Sequence, residues 1–382
     1  MDFAFSEEQI AIRQLMSQIS KNRCTPEELA AAEKTNWFHS VLWQDLAGAG
    51  LLGLCLPEEF GGSGLGFTEL CILLEEHGKS ISPIPLWPTL NLGALALSKF
   101  GTHQQQSEYF PALASGEQII TAALQEPNST VGSPLKTHAS QNGSSWVLTG
   151  EKTSVPSLHL SERLLVPART EKNQPCLFIV DVNLPGITLE KQTGTNGEPL
   201  HYITFENVEV PETALLEKSL HHQDSVKWLM QRATIGLCAV MLGMADRALK
   251  MTARYVSERH QFERPIGTFQ AVSQRAGDAY IDVESMRMTM WRACWRLEKE
   301  DFSDKEVAVA KSTASLSGHR VLNAAQHLHG GMGFDRDYPL YRYFLHAKQY
   351  EFTLGSYSEH IHQLGQVLAT DSPSHRGSHE SI

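Results

Sequence analysis

The stretch AKQYEFTLGSYSEH, residues 347–360, sets a carboxylate, a leucine and a glycine within five positions of one another. Glu351 is of the type that serves as a general base, accepting a proton from a carbon acid held beside it. Leu354, three residues on, has no lone pair and can accept nothing. A second chemistry is written in YVSERHQFERPIGTFQ (255–270) and QHLHGGMGF (326–334). A planar guanidinium that binds two oxygens, with glycines that let backbone N–H groups come close, is what a pyrophosphate requires. Arg259 and the pair Gly330–Gly331 are of those types. GGMG does not follow a predicted strand, so a Rossmann dinucleotide reading fails its context. The histidines at 221, 222, 327, 329, 360 and 362 have no coherent ligand spacing, and no metal site is expected. The six cysteines lie far apart with no CxxC pair, which fits reduced packing thiols.

The elements that must position these residues fall into three textures. A chain of 382 residues, 41% hydrophobic and 20% charged, is long enough for two or three domains with sizeable cores. Residues 1–118 are read as a helical domain: Ser6 and Gln9 form a capping-box pattern, and helical periodicity runs through 26–53, 67–78, 90–100 and 103–115. Residues 119–219 are read as a small antiparallel β domain, with SWVLTG, RLLVPA, CLFIVDV, GITLEK and HYITFENVEV as strands between Asn-Gly, Pro and charged turns. Residues 220–370 return to long helices, over about 224–258, 268–299, 305–328 and 338–368, of the length that packs as a bundle. Residues 371–382 are read as a flexible tail. The formal charge of −11 argues against nucleic acid and anionic membrane as partners, and a phosphate-bearing ligand must find local arginines. The N-terminal stretch does not read as a secretory signal, no apolar run approaches a bilayer span, and a cytoplasmic protein is expected.

Taken together, PEEFGGSG (57–64), FENVEVPETALL (205–216), the R-x-Q-F-x-x-P-I-x-x-F-Q pattern from Arg259 and H-G-G-M-G-F-x-x-D-Y-P from His329 resemble the acyl-CoA dehydrogenase family over about 370 residues. The resemblance implies a mostly α fold with a central β domain: a helical N-terminal domain, a middle antiparallel β domain and a C-terminal four-helix bundle, assembled as a dimer of dimers. It implies FAD lying between subunits, an acyl-CoA substrate oxidised to its trans-2-enoyl form, and an electron-transferring flavoprotein as acceptor. By the same resemblance Arg259 and Gln261 reach the pyrophosphate of the neighbouring subunit's FAD. Phe262 and Gln270 lie at its adenosine end, and His327 with Gly330 and Gly331 complete the contact. Glu263 departs from the family, which usually has glycine there.

Other departures are sharper. Counting from Gly330 and keeping Ala347–Lys348 in register, the family's basic glutamate falls on Leu354. The alternative location, on the first long helix of the C-terminal domain, falls on Ala233, and no Asp or Glu lies between Ser225 and Ala245. A register that makes Glu351 the base needs a three-residue deletion; in the helix read there, Glu351 lies one turn before Leu354. In the β domain, Gln125, Asn128, Ser154 and Pro156 occupy or adjoin the places where the family covers the flavin ring and contacts N5. What is kept is the part a subunit donates to its neighbour; what is lost belongs to its own site. The expected function is therefore the non-catalytic partner in a heteromeric α2β2 acyl-CoA dehydrogenase, beside a homologous subunit that carries the catalytic glutamate. Its similarity to the base-less subunits of bacterial sterol-degrading enzymes suggests a steroid CoA thioester. A self-sufficient homotetramer acting on fatty acyl-CoA through Glu351, and a non-enzymatic scaffold or CoA-thioester binder, stand as alternatives.

Overall fold

The computed structural model describes residues 4–370; the tail read at 371–382 lies outside the described residues. The N-terminal part holds α1 (Glu7–Arg23), α2 (Pro26–Lys34), α3 (Ser40–Gly48), α4 (Phe67–Ser80), a π-helix (Trp87–Ala94), α5 (Leu95–Phe100) and α6 (His103–Ala114). The capping box on α1 is present, with the Ser6 hydroxyl accepting from Gln9 N–H at 3.2 Å and the Gln9 side chain accepting from Ser6 N–H at 3.0 Å. The helical stretch expected over 26–53 is broken: Asn36 and Trp37 take positive φ (58° and 52°), ending α2 and turning the chain into α3. The stretch expected from 90 begins earlier, at Trp87, as π-helix, a form with wide turns that recurs at functional sites.

The β region comprises β1 (Ile120–Ala122), β2 (His138–Asn142), β3 (Ser145–Pro156), β4 (Arg163–Thr170), β5 (Pro175–Asp181), β6 (Ile187–Thr193) and β7 (Pro199–Pro211). The five expected strands are all present, but the sheet is not wholly antiparallel. Two short strands absent from the sequence reading, β1 and β2, pair in parallel with opposite ends of β4, whose other edge carries β5. Its buried faces close on Leu148, Val166, Phe178 and Phe205.

The C-terminal part holds α7 (Glu217–Leu220), α8 (Ser225–Glu258), a hairpin of β8 (His260–Gln261) and β9 (Arg264–Pro265), α9 (Gln270–Lys299), α10 (Asp304–His329), α11 (Leu340–Phe352) and α12 (Tyr357–Thr370). By length and composition α8 could cross a bilayer, yet 94% of its most apolar window is buried inside the fold, where it is the central core helix. Glycines make its close crossing with α4 possible: a Cβ at Gly243 would lie 1.9 Å from the Glu75 carbonyl oxygen, and one at Gly78 2.1 Å from that of Val240. The single helix expected over 338–368 is two helices. The chain breaks at 353–356, with Leu354 at φ 57° and Gly355 at φ 101°. Glu351 and Leu354 therefore do not share one helix face: the first belongs to α11 and the second to the turn after it.

Candidate functional site

Leu354 is buried in the wall of a slot between the π-helix, α8, α11 and the β region. Gln125, Ser154 and Pro156 reach the same slot, so the structure brings these four sequence-selected positions together. Asn128 is not with them; it sits in a turn at φ 52°, its carbonyl accepting from Lys136 Nζ at 2.9 Å. Trp87, from the π-helix, lines the slot and donates its indole N–H to the Ala233 carbonyl at 3.1 Å. Both places where the resemblance puts a base thus carry apolar side chains, and a tryptophan is packed against one of them. The free volume is about 40 Å³. Ligand pockets run to roughly 300–1,000 Å³. The residues of this slot do not fit an isoalloxazine ring or a steroid thioester.

The turn that carries Leu354 is held from below. Lys311, fully buried on α10, donates from Nζ to the carbonyls of Tyr350 (2.6 Å) and Glu351 (3.3 Å), taking up the free C-terminal end of α11. Burial pushes this amine down to about 8. His360 lies 2.9 Å from the Leu354 carbonyl through Nε2. The Glu351 side chain faces elsewhere: its carboxylate meets Lys348 Nζ at 2.9 Å and His319 Nδ1 at 3.3 Å, and it does not line the slot.

At the far end of α8 and α10 the second chemistry assembles. Tyr255, one turn before Arg259, stacks on His329 with ring centroids 4.3 Å apart, and His329 Nε2 lies 3.1 Å from the Tyr338 hydroxyl. This clamp sets the Arg259 hairpin beside the Gly330–Gly331 turn. Arg259, Gln261, Phe262, Gln270, His327 and both glycines are all exposed, Phe262 at 87%. Among the described residues the Arg259 guanidinium has no ion pair. Gly330 needs its hydrogen side chain, since it adopts φ 58°, ψ −134°. Gly331 does not: a Cβ there would meet nothing within 4 Å. The chain itself gives no reason for glycine at 331, whereas close approach of an outside group does. This face fits the diphosphate and adenosine end of a dinucleotide.

The two central hairpin residues, Phe262 (φ 52°) and Glu263 (φ 65°), adopt the left-handed pair of a two-residue turn that favours Asn-Gly. Glu263 therefore carries backbone strain that glycine would not. Glu263→Gly is expected to stabilise the isolated chain by about 1 kcal/mol, measurable as a raised denaturation midpoint.

Sequence reasoning missed several residues at the slot. Lys311 had a signal, a lysine on the apolar stripe of VAVAKSTASL, with buried Ala308 and Ala314 on its own face. Trp87, Glu198 and Tyr350 had none, because they converge from three distant segments.

The fold is that of the acyl-CoA dehydrogenases. Family models for the N-terminal and C-terminal domains of acyl-CoA dehydrogenases match residues 6–117 and 224–369, and the chain belongs to this FAD-dependent family. Among its relatives, acyl-CoA dehydrogenase FadE27 of Mycobacterium tuberculosis is 34% identical over 379 residues, covering 97% of this chain and 99% of that one. A solved variant of the Tcur3481–Tcur3483 steroid ACAD is 40% identical, with a TM-score of 0.89 over 95% of this chain and 98% of the other. The ChsE4–ChsE5 complex from Mycobacterium tuberculosis gives 34% identity and a TM-score of 0.91 over 98% and 100%.

Proposed function

We propose that this chain is the base-less subunit of a heteromeric acyl-CoA dehydrogenase. It completes the FAD site of a homologous subunit that holds the isoalloxazine pocket and the catalytic glutamate. The observation that carries this reading is the contrast between its two sites. Its own slot is narrow around Leu354 and Trp87, the latter tied to the Ala233 carbonyl, while the Arg259 hairpin and the Gly330–Gly331 turn stand exposed. A chain serving only itself would have no use for the second without the first. In the assembly, Arg259 and Gln261 meet the diphosphate. Phe262 and Gln270 flank the adenosine, and His327, Gly330 and Gly331 close the contact. When bound, FAD supplies the acceptor for the β-hydride. The α-proton passes to the glutamate of the homologous subunit, giving a trans-2-enoyl-CoA. A bulky steroid side-chain thioester is the proposed substrate class, supported by the steroid ACAD named above. Electrons then pass to an electron-transferring flavoprotein in the cytoplasm. The engagement of Glu351 with Lys348 and His319 counts against a homotetramer that uses it as base.

Counting flavin tests the proposal. Expressed alone, the chain is expected to be colourless and inactive; co-purified with a base-bearing homologue, it is expected to hold about one FAD per pair of unlike chains. A yellow protein that dehydrogenates a thioester without a second polypeptide would overturn it.

A further inference from the structure

The turn joining β6 to β7, residues 194–198, reaches the slot around Leu354 through Glu198 and is seated on Gln349, another residue of the slot wall. Thr195 N–H donates to Gln349 Oε1 on α11 at 2.7 Å, tying the turn to that helix. Glycines let it lie flush: a Cβ at Gly194 would sit 2.8 Å from that same amide oxygen, and one at Gly197 (φ 93°) 3.1 Å from the Trp37 ring. Within the turn, Gly194 N–H donates to the Glu198 carbonyl and Gly197 N–H to the Gly194 carbonyl, each at 2.9 Å.

Glu198, half-buried, is the residue of this turn that reaches inward. It lines both the Leu354 slot and an adjoining chamber of about 30 Å³. From its own turn it is faced by Asn196, whose Nδ2 reaches Oε2 at 3.4 Å. From α4 comes His77, from α11 His346, Gln349 and Tyr350, and from the loop before α3 Trp37. No lysine or arginine lines either chamber. Burial pushes His77 down to about 4 and lowers His346, so both imidazoles are neutral near pH 7. A carboxylate placed here would have no cation to answer it.

We propose that the β6–β7 turn is a proton-latched door on the slot, seated while the Glu198 carboxyl is neutral and released when it ionises. The surroundings push Glu198 up from 4.5 to about 7, chiefly by burial. The sign follows from proton binding. The seated form holds a proton that the released form, with an ordinary glutamate, loses near 4.5. Seating is therefore at full strength below that value, weakens about tenfold per pH unit up to about 7, and is constant above. Release would expose the apolar wall at Leu354.

Hydrogen exchange on the full chain, corrected for the intrinsic pH dependence of exchange, tests this. The protection of the Gly194, Thr195 and Gly197 amides is expected to fall by on the order of a hundredfold between pH 5 and 7 and then level off. In Glu198→Gln it is expected to stay high and flat, while amides of the β3–β7 ladder hold steady in both proteins. An equal fall in the variant, or none in the wild type, overturns the proposal. Should Glu198→Gln not fold, carboxyl NMR of the wild-type chain decides. A resonance titrating near 7 in step with Thr195 exchange supports the latch; titration of every glutamate near 4.5 refutes it.

Discussion

Replacing Arg259 by alanine is expected to weaken FAD retention by the assembled heteromer by about tenfold to a hundredfold, the range for losing charge-assisted hydrogen bonds to a phosphate. The guanidinium stands at the C-terminal end of α8, its backbone tied on both sides, by its N–H to Tyr255 and by its carbonyl to Ile266 N–H, both at 2.8 Å. Its position is thus fixed by backbone while its side chain stays free for an outside anion. The chain as a whole is strongly negative, so a diphosphate needs a local cation to offset the overall field. Arg259→Lys should recover part of the loss, because the charge remains and the two-pronged fork does not. Retention by Arg259→Ala should also depend less on salt than that of wild type. Equilibrium dialysis of the complex against FAD at two ionic strengths reads both effects. Unchanged retention at both would place the arginine away from the cofactor.

The contrast between the two sites was legible in the sequence because it rests on residue type and register. Arg259 and Gly330–Gly331 sit at helix ends that periodicity and glycine mark well, and Leu354 cannot pass for a carboxylate. The long helices α8, α9 and α10 were legible for the same reason, each having an apolar stripe that repeats over many turns. The turn after α11 was not. Leu354 occupies left-handed backbone that a leucine rarely adopts, and what holds it there is Lys311, 43 residues earlier, donating to carbonyls that the sequence does not advertise. Strand β2 was missed because His-Ala-Ser-Gln-Asn has little strand preference of its own; pairing with β3 from Asn142↔Ser145 to His138↔Thr149 imposes it. Closure of the slot was the least readable feature. Trp87, Glu198 and Tyr350 meet only when three distant segments have been packed, so no local pattern foretells it.

Lys152→Met is expected to be the most destabilising single change in the β region, costing about 3–5 kcal/mol, because it breaks a buried ion pair by removing one partner. Lys152 is fully buried on β3, and its Nζ donates to Glu126 Oε1 and to the Pro167 carbonyl, each at 2.8 Å. Glu126 also accepts from Lys136 N–H at 2.6 Å and from Thr137 through both N–H (3.0 Å) and hydroxyl (2.6 Å). Burial alone would raise this carboxyl, but Lys152 and the three other donors more than offset it and hold Glu126 below its ordinary value. The methionine would leave that carboxylate inside the protein without its cation. For a chain of this size the loss corresponds to a fall in Tm of roughly 5 °C. The double variant Glu126→Gln/Lys152→Met should be more stable than Lys152→Met alone, since the amide removes the stranded charge while still accepting from the Thr137 amide. The same geometry fixes a pH dependence. Because Glu126 is depressed in the fold, its contribution is complete above the ordinary glutamate value of 4.5 and is lost as pH falls through its lower folded value. Glu126→Gln should therefore lose less stability than wild type between pH 5 and pH 3. Thermal melts across that range decide it: parallel acid losses in the two proteins would mean that protonation of the Glu126 carboxylate is not what weakens the β region in acid.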